Sequence, residues 1–157
     1  LNGLAGADSA CITRANAATP ALGGNWKAWL SNSAVPVSSR FEQATVPYRL
    51  LNGQTIANNW TDLTDGTIAN PINITETGSL PASGGNLVWT NTRDTGSLTH
   101  SNSTVTCGDW TNVSAGVGTA EAIWGNMNST DFQWTLVFGG SSFSCSFDIR
   151  RLYCFEQ

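Results

Sequence analysis

Charge is the scarcest property of this 157-residue chain. Asp, Glu, Lys and Arg together make up 11% of it, and the net charge is −4. A protein that grips a phosphate backbone needs clustered cations to displace counterions, yet Arg14, Lys27, Arg40, Arg49 and Arg93 stand singly. Only Arg150 and Arg151 are adjacent, and neighbours on a strand point to opposite faces. Nucleic acid and heparin are therefore not expected as partners. Long apolar runs are missing too: none approaches the roughly 18 residues of a membrane span, so no membrane insertion is expected. The opening residues, Leu1-Asn2-Gly3-Leu4-Ala5-Gly6, lack the basic start and apolar stretch of a signal peptide. An exported protein would thus be a processed chain or a domain of a longer one. No C-x-x-C pair, P-loop, nucleophile elbow or H-E-x-x-H motif occurs, which removes the common signatures of zinc, nucleotide and hydrolase chemistry.

Apolar residues are present in quantity, 40% of the chain, with seven Trp and six Phe. Aromatic side chains bury the most area per residue, so one core spanning residues 1–157 as a single domain is expected. Four cysteines stand at 11, 107, 145 and 154. Four cysteines permit three pairings; we take the nested one, Cys11–Cys154 with Cys107–Cys145, which ties an N-terminal helix to the last strand and closes an internal loop. Disulfides persist in oxidising compartments, so a secreted or cell-surface protein is expected. N-x-S/T triplets begin at Asn59, Asn73, Asn102, Asn112 and Asn128. A chain this rich in Asn, Ser and Thr holds about three such triplets by chance, so they report composition more than glycosylation.

Along the chain, Ala7, Cys11, Ala15 and Ala18 share one face of a helix predicted over 7–18, with Asp8 in its first turn. Residues 25–30 alternate as a half-buried strand with Trp26, Ala28 and Leu30 on one side, and Ser38 to Glu42 forms a second short helix. Residues 48–51 and 54–56 flank Asn52-Gly53, a pair suited to a two-residue primed hairpin turn. Residues 58–86 read as a long loop, which in ordinary domains is functional or braced. Strands are predicted at 87–90, 104–110, 134–138 and 149–155, the last with Leu152 and Cys154 inward and Arg151 and Tyr153 outward. These elements make an α+β class with one or two short helices and mostly antiparallel strands.

Several pieces carry a more specific likeness: Gly6-Ala7-Asp8 leading into Cys11, Trp26-Lys27-Ala28-Trp29-Leu30-Ser31, Val46-Pro47, Trp60 with Leu63, Val88-Trp89, Cys107-Gly108-Asp109-Trp110, Ser144-Cys145, and Leu152-Tyr153-Cys154-Phe155-Glu156. In order and spacing the whole chain resembles endostatin, the C-terminal domain of certain collagens, and a family of extracellular bacterial domains related to it. The resemblance implies a C-type-lectin-like fold with twisted sheets and long loops, and the same nested disulfides. It places Trp26, Trp29, Trp60, Trp89 and Trp110 in the core. Endostatin's zinc histidines and arginine-rich heparin face have no counterpart here, His100 being the one His, so neither ligand is carried over. The sugar-site signatures of calcium-dependent lectins are missing as well.

Trp124 and Trp134, in the Gly/Asn-rich region, are left without a core assignment. With Asn126, Asn128 and Asp131 they form the expected binding surface, since sugar rings lie on aromatic faces while amides and carboxylates take the hydroxyls. Asp62, Asp65 and Asp131 are the candidate calcium ligands, calcium being the one cofactor considered. Carboxylate pairs such as Asp62 with Asp65 or Asp109 with Glu121 have a separation that sequence does not supply, and the lone His100 lacks a partner motif, so no enzyme is expected. The resulting expectation is an extracellular adhesion module, part of a longer surface or fibre protein, recognising a glycan or cell-surface protein. Its alternatives are an oligomerising terminal domain such as a trimeric fibre tip and, behind that, a hydrolase.

Overall fold

The computed structural model describes residues 1–82, 85–111, 123–137, 145 and 151–157. It is an α+β chain of few short helices, short antiparallel strand pairs and two disulfides. Helix α1 spans Gly3–Ala17, starting at Gly3 rather than Ala7, and buries Ala7, Cys11 and Ala15 as the spacing predicts. The small inward residues bring the helix close to the strand beneath it. Asp8 consequently lies beyond the first turn and has a different task. Its carboxylate accepts from the Ala28 backbone at 2.9 Å and takes two bonds from Arg40 Nη2 at 2.6 and 2.7 Å. Arg40 Nη1 meanwhile donates to the carbonyls of Ala28 and Leu30, and Arg40 ends the short helix α2 (Val37–Arg40). One charge pair thus stitches three segments together.

Among the described residues the strands are β1 (Trp26–Ala28), β2 (Tyr48–Arg49), β3 (Thr55–Ala57), β4 (Leu87–Trp89), β5 (Trp124–Asn126) and β6 (Cys154–Glu156). They pair antiparallel as β1 with β6, β2 with β3 and β4 with β5. Trp26 and Lys27 are half-buried as expected, but residues 28–30 are covered on both faces. Ala28 and Leu30 join Ala7, Cys11, Trp89, Cys107 and Trp110 in one apolar cluster. Trp29 points the other way, into a larger cluster with Val37, Leu63, Met127 and Tyr153. There its ring meets those of Phe41, Trp60, Trp134 and Phe155 at centroid distances of 4.9–5.9 Å. The segment is therefore a wall between two cores. Buried Ser31, Thr90, Thr92 and Thr135 bond one another and two of the indoles beside them: Trp29 Nε1 donates to Thr135 Oγ1 at 2.8 Å, Trp110 Nε1 to Ser31 O at 2.9 Å, and the Ser31 and Thr92 hydroxyls bond at 2.9 Å.

Several elements differ from expectation, each for a local reason. The β2–β3 hairpin closes through residues 51–53, with Leu50 N donating to Gln54 O and Gly53 N to Leu50 O, both at 2.8 Å, and Gly53 at φ +86°. This is a three-residue loop ending in a left-handed glycine, not a two-residue primed turn. Residues 104–110 form no strand. A 3₁₀ turn over Ser103–Thr106 runs into four left-handed residues, Cys107, Gly108, Asp109 and Trp110, at φ 54°, 61°, 55° and 67°. The Thr-rich run suits a strand, but Asn102 accepts from Thr104 N and Thr106 from Asp109 N, and such local caps compete with sheet pairing.

In place of a strand from Trp134 stands a 3₁₀ turn, Phe132–Trp134, capped by Asp131. Val137 makes only an isolated bridge to Trp124, and Phe138 lies outside the described residues. Near the C-terminus both sides of the chain pack inward: Leu152 lies against the Ala28–Leu30 cluster as predicted, but Tyr153, predicted outward, is buried with Phe155 in the larger core, and Cys154, predicted inward, is exposed. The Tyr153 hydroxyl donates to Trp134 O at 2.8 Å, a buried partner that only an inward phenol reaches. Positions 149 and 150 and Ser144 lie outside the described residues. Both nested disulfides are formed, Cys11–Cys154 and Cys107–Cys145. Among the described residues no helix is long and apolar enough to cross a membrane.

Among the described residues, the long connection after β3 contains one helix, α3 (Trp60–Leu63), capped by Asn59. It is braced rather than loose. Trp60 N donates to Ala44 O, Ala69 N to Ile56 O and Ile68 N to Thr130 O, each at 2.8 Å, while Ile68 is buried and Ile72 and Ile74 pack on the larger core.

Candidate binding surface on the 126–133 loop

Trp124 and Trp134 do not form the expected aromatic platform. Trp124 lies on β5 at 5% exposure, and Trp134 is fully buried beside Trp29 and Tyr153. The reason is Gly125. A Cβ built there would stand 2.0 Å from Trp134 O, so the absent side chain lets the Trp134 backbone settle directly onto β5 and carries its indole inside.

What faces outward is the segment between them. After β5, Asn126 Oδ1 accepts from Asn128 N at 3.0 Å, Asn126 O accepts from Ser129 N, and Met127 drops into the core. Asp131 Oδ1 accepts from Gln133 N at 3.0 Å and opens the 3₁₀ turn. Successive residues of such a turn project about 120° apart. With Trp134 inward, Phe132 points out, and at 39% exposure it is the one exposed aromatic side chain among the described residues. Asn128, Thr130, Asp131 and Gln133 surround it and are exposed. The 68–74 connection runs alongside: Ile68 N donates to Thr130 O, and Asn73 Nδ2 lies 3.4 Å from Asn128 Oδ1.

Of the expected surface, Asn128 and Asp131 are thus brought together in the open, Asn126 is half-buried and spent on a turn, and the two Trp are replaced by Phe132. Sequence does not single out Phe132, since Trp134 two residues on offers the larger ring. The signal was Asp131 two residues before Gln133, a cap that sets which ring turns inward.

The candidate calcium ligands are not assembled. Asp62 Oδ2 accepts from Asn58 N and Nδ2, Asp65 Oδ1 closes an Asx turn with Thr67, and Asp131 caps its own turn. Among the described residues no group of three or more His, Cys, Asp and Glu is placed to hold a metal. His100 bonds Asn91 through its backbone, and among the described residues its ring has no hydrogen-bond partner. Asp109 accepts from Ser33 N, Ser33 Oγ and Thr106 Oγ1. Burial pushes its pKa up, but these three donors outweigh burial and hold the carboxyl below its ordinary value. A carboxylate kept ionised and fully engaged is a clamp on the 31–34 segment and a poor proton acceptor. Its suggested partner Glu121, like the triplet at Asn112, lies outside the described residues. Comparison with known proteins finds no matching family model and no matching curated protein.

Proposed function

We propose that this chain is a non-catalytic extracellular binding module of the endostatin-like, C-type-lectin-like kind, and that its ligand, a glycan or a surface protein, sits on the Asn126–Gln133 loop. The observation that carries the reading is Phe132: an aromatic ring held outward among Asn128, Asp131 and Gln133 while the chain's other described aromatics are buried or half-buried. An exposed ring costs solvation and contributes nothing to the core, whereas at a contact it supplies apolar area with few rotamers to freeze. The loop beneath it is fixed by backbone bonds, so little ordering is left for binding to pay. Two disulfides support an oxidising compartment. The fibre-tip alternative would gain from a Trp124 left for an assembly interface; that side chain is 5% exposed within the single chain.

The test is a glycan array and a panel of extracellular-matrix proteins probed with the wild-type chain and with Phe132→Ala. Selective binding that falls in the variant, with an unchanged circular-dichroism spectrum, is expected. Selective binding indifferent to Phe132, or none on either panel, would overturn the proposal.

A further inference from the structure

We infer that the ligand class of this surface is an uncharged sugar, a neutral hexose or N-acetylhexosamine at a glycan end, gripped directly by side chains with no bridging calcium. The inference rests on the binding-module reading above and deepens it.

Three features of the surface converge on that class. The first is the pairing of Phe132 with planar polar side chains. A pyranose has an apolar face of C–H bonds and a rim of hydroxyls, and C–H hydrogens sit favourably on the electron-rich face of a ring. Asp131 carries the rim contact: Oδ1 is committed to Gln133 N, which fixes the carboxylate's orientation, and Oδ2 accepts no bond among the described residues. It is thus a positioned, charge-assisted acceptor for a sugar hydroxyl. Asn128, whose Oδ1 faces Asn73, and Gln133 add amide donors on either side.

The second feature is charge. The two segments that build the surface, 68–74 and 126–133, contain no Lys, Arg or His, and Asp131 is their one ionisable side chain. A sialylated, sulfated or uronic sugar would bring its anion beside that carboxylate without a counter-charge, and like charges placed together select against such partners.

The third is the donor set. Calcium takes about six to eight oxygen ligands, most of them carboxylate or carbonyl. Here a single carboxylate serves the loop, one of its oxygens already holds a backbone N–H, and no acidic cluster is gathered around it among the described residues. Direct hydrogen bonding is the chemistry these residues can perform.

The test is the same array divided into neutral, amino-acylated and anionic glycans, read with calcium and with a chelator, using wild type, Phe132→Ala and Asp131→Asn. Asparagine still caps the turn, so Asp131→Asn removes the charge and leaves the fold. The inference predicts binding confined to uncharged sugars, unchanged by chelation, weakened about fivefold or more in Phe132→Ala and about tenfold or more in Asp131→Asn. Phe132-dependent binding to anionic glycans, binding abolished by chelator, or Phe132-dependent binding to matrix proteins alone would overturn this inference and leave the binding-module reading standing. Binding indifferent to Phe132, or none at all, would overturn both.

Discussion

At the scale of single residues, buried polar groups do as much to define this chain as its many aromatics. The side chains of Arg40 and Asp8 are 9% and 23% exposed, and both Nη groups of the guanidinium are engaged by Asp8, Ala28 and Leu30. Removing one partner of such a pair strands the other charge, which costs about 3–5 kcal/mol in comparable buried pairs. Asp8→Ala is therefore expected to lower the denaturation midpoint severely, and Asp8→Asn, which keeps an acceptor, less so; chemical denaturation measures both. Asp109 makes a second residue-scale prediction. Its carboxyl sits below the ordinary value in the folded chain, so its stabilisation is present above about pH 4, the unfolded value, and is lost as pH falls through the lower folded one. Thermal unfolding followed from pH 6 downward should show a steep loss in wild type below about pH 4, and a shallower one in Asp109→Asn.

Elements are set by close approaches that hydrophobic periodicity does not report. The stripe Ala7, Cys11, Ala15 was legible because a helix repeats its inward face over several turns. The placement of Trp124 and Trp134 was not, because it depends on one glycine and one cap. Gly125→Ala would drive a methyl into Trp134 O, backbone that has no rotamer to yield. Overpacking of this kind costs about 1–3 kcal/mol, and the variant is expected to unfold earlier in urea and to expose Trp134 to fluorescence quenching. The left-handed run Cys107–Trp110 shows the same limit. Left-handed backbone costs roughly 1–2 kcal/mol per non-glycine residue, so no propensity scale places it in a Thr-rich segment. It persists because Asp109 clamps Ser33, Trp110 Nε1 donates to Ser31 O at 2.9 Å and Cys107 is bridged to Cys145. Alternation tells only half of the C-terminal segment for a related reason: it packs on both sides, Leu152 against one core and Tyr153 with Phe155 in the other, so no single inward face exists to be read.

For the whole molecule, the α+β class and the 48–56 hairpin follow from composition and alternation, whereas cysteine placement leaves the nested pairing one of three and the pairing of β1 with β6 and of β4 with β5 emerges only in the fold. Which surface is left for a partner likewise emerges only there, since exposure is decided when the cores close. The disulfides close segments of 143 and 38 residues, for which chain entropy gives at most about 5 and about 4 kcal/mol. Cys11→Ser with Cys154→Ser should accordingly cost more than Cys107→Ser with Cys145→Ser, compared by urea denaturation. The central claim, that ligand is held on the Asn126–Gln133 loop with the 68–74 connection beside it, is tested most directly by backbone amide shift mapping during titration with a neutral glycan that binds. Shifts concentrated at Asn128, Asp131, Phe132, Gln133 and Asn73 are predicted. Shifts confined to another face of the molecule, with these amides silent, would contradict it.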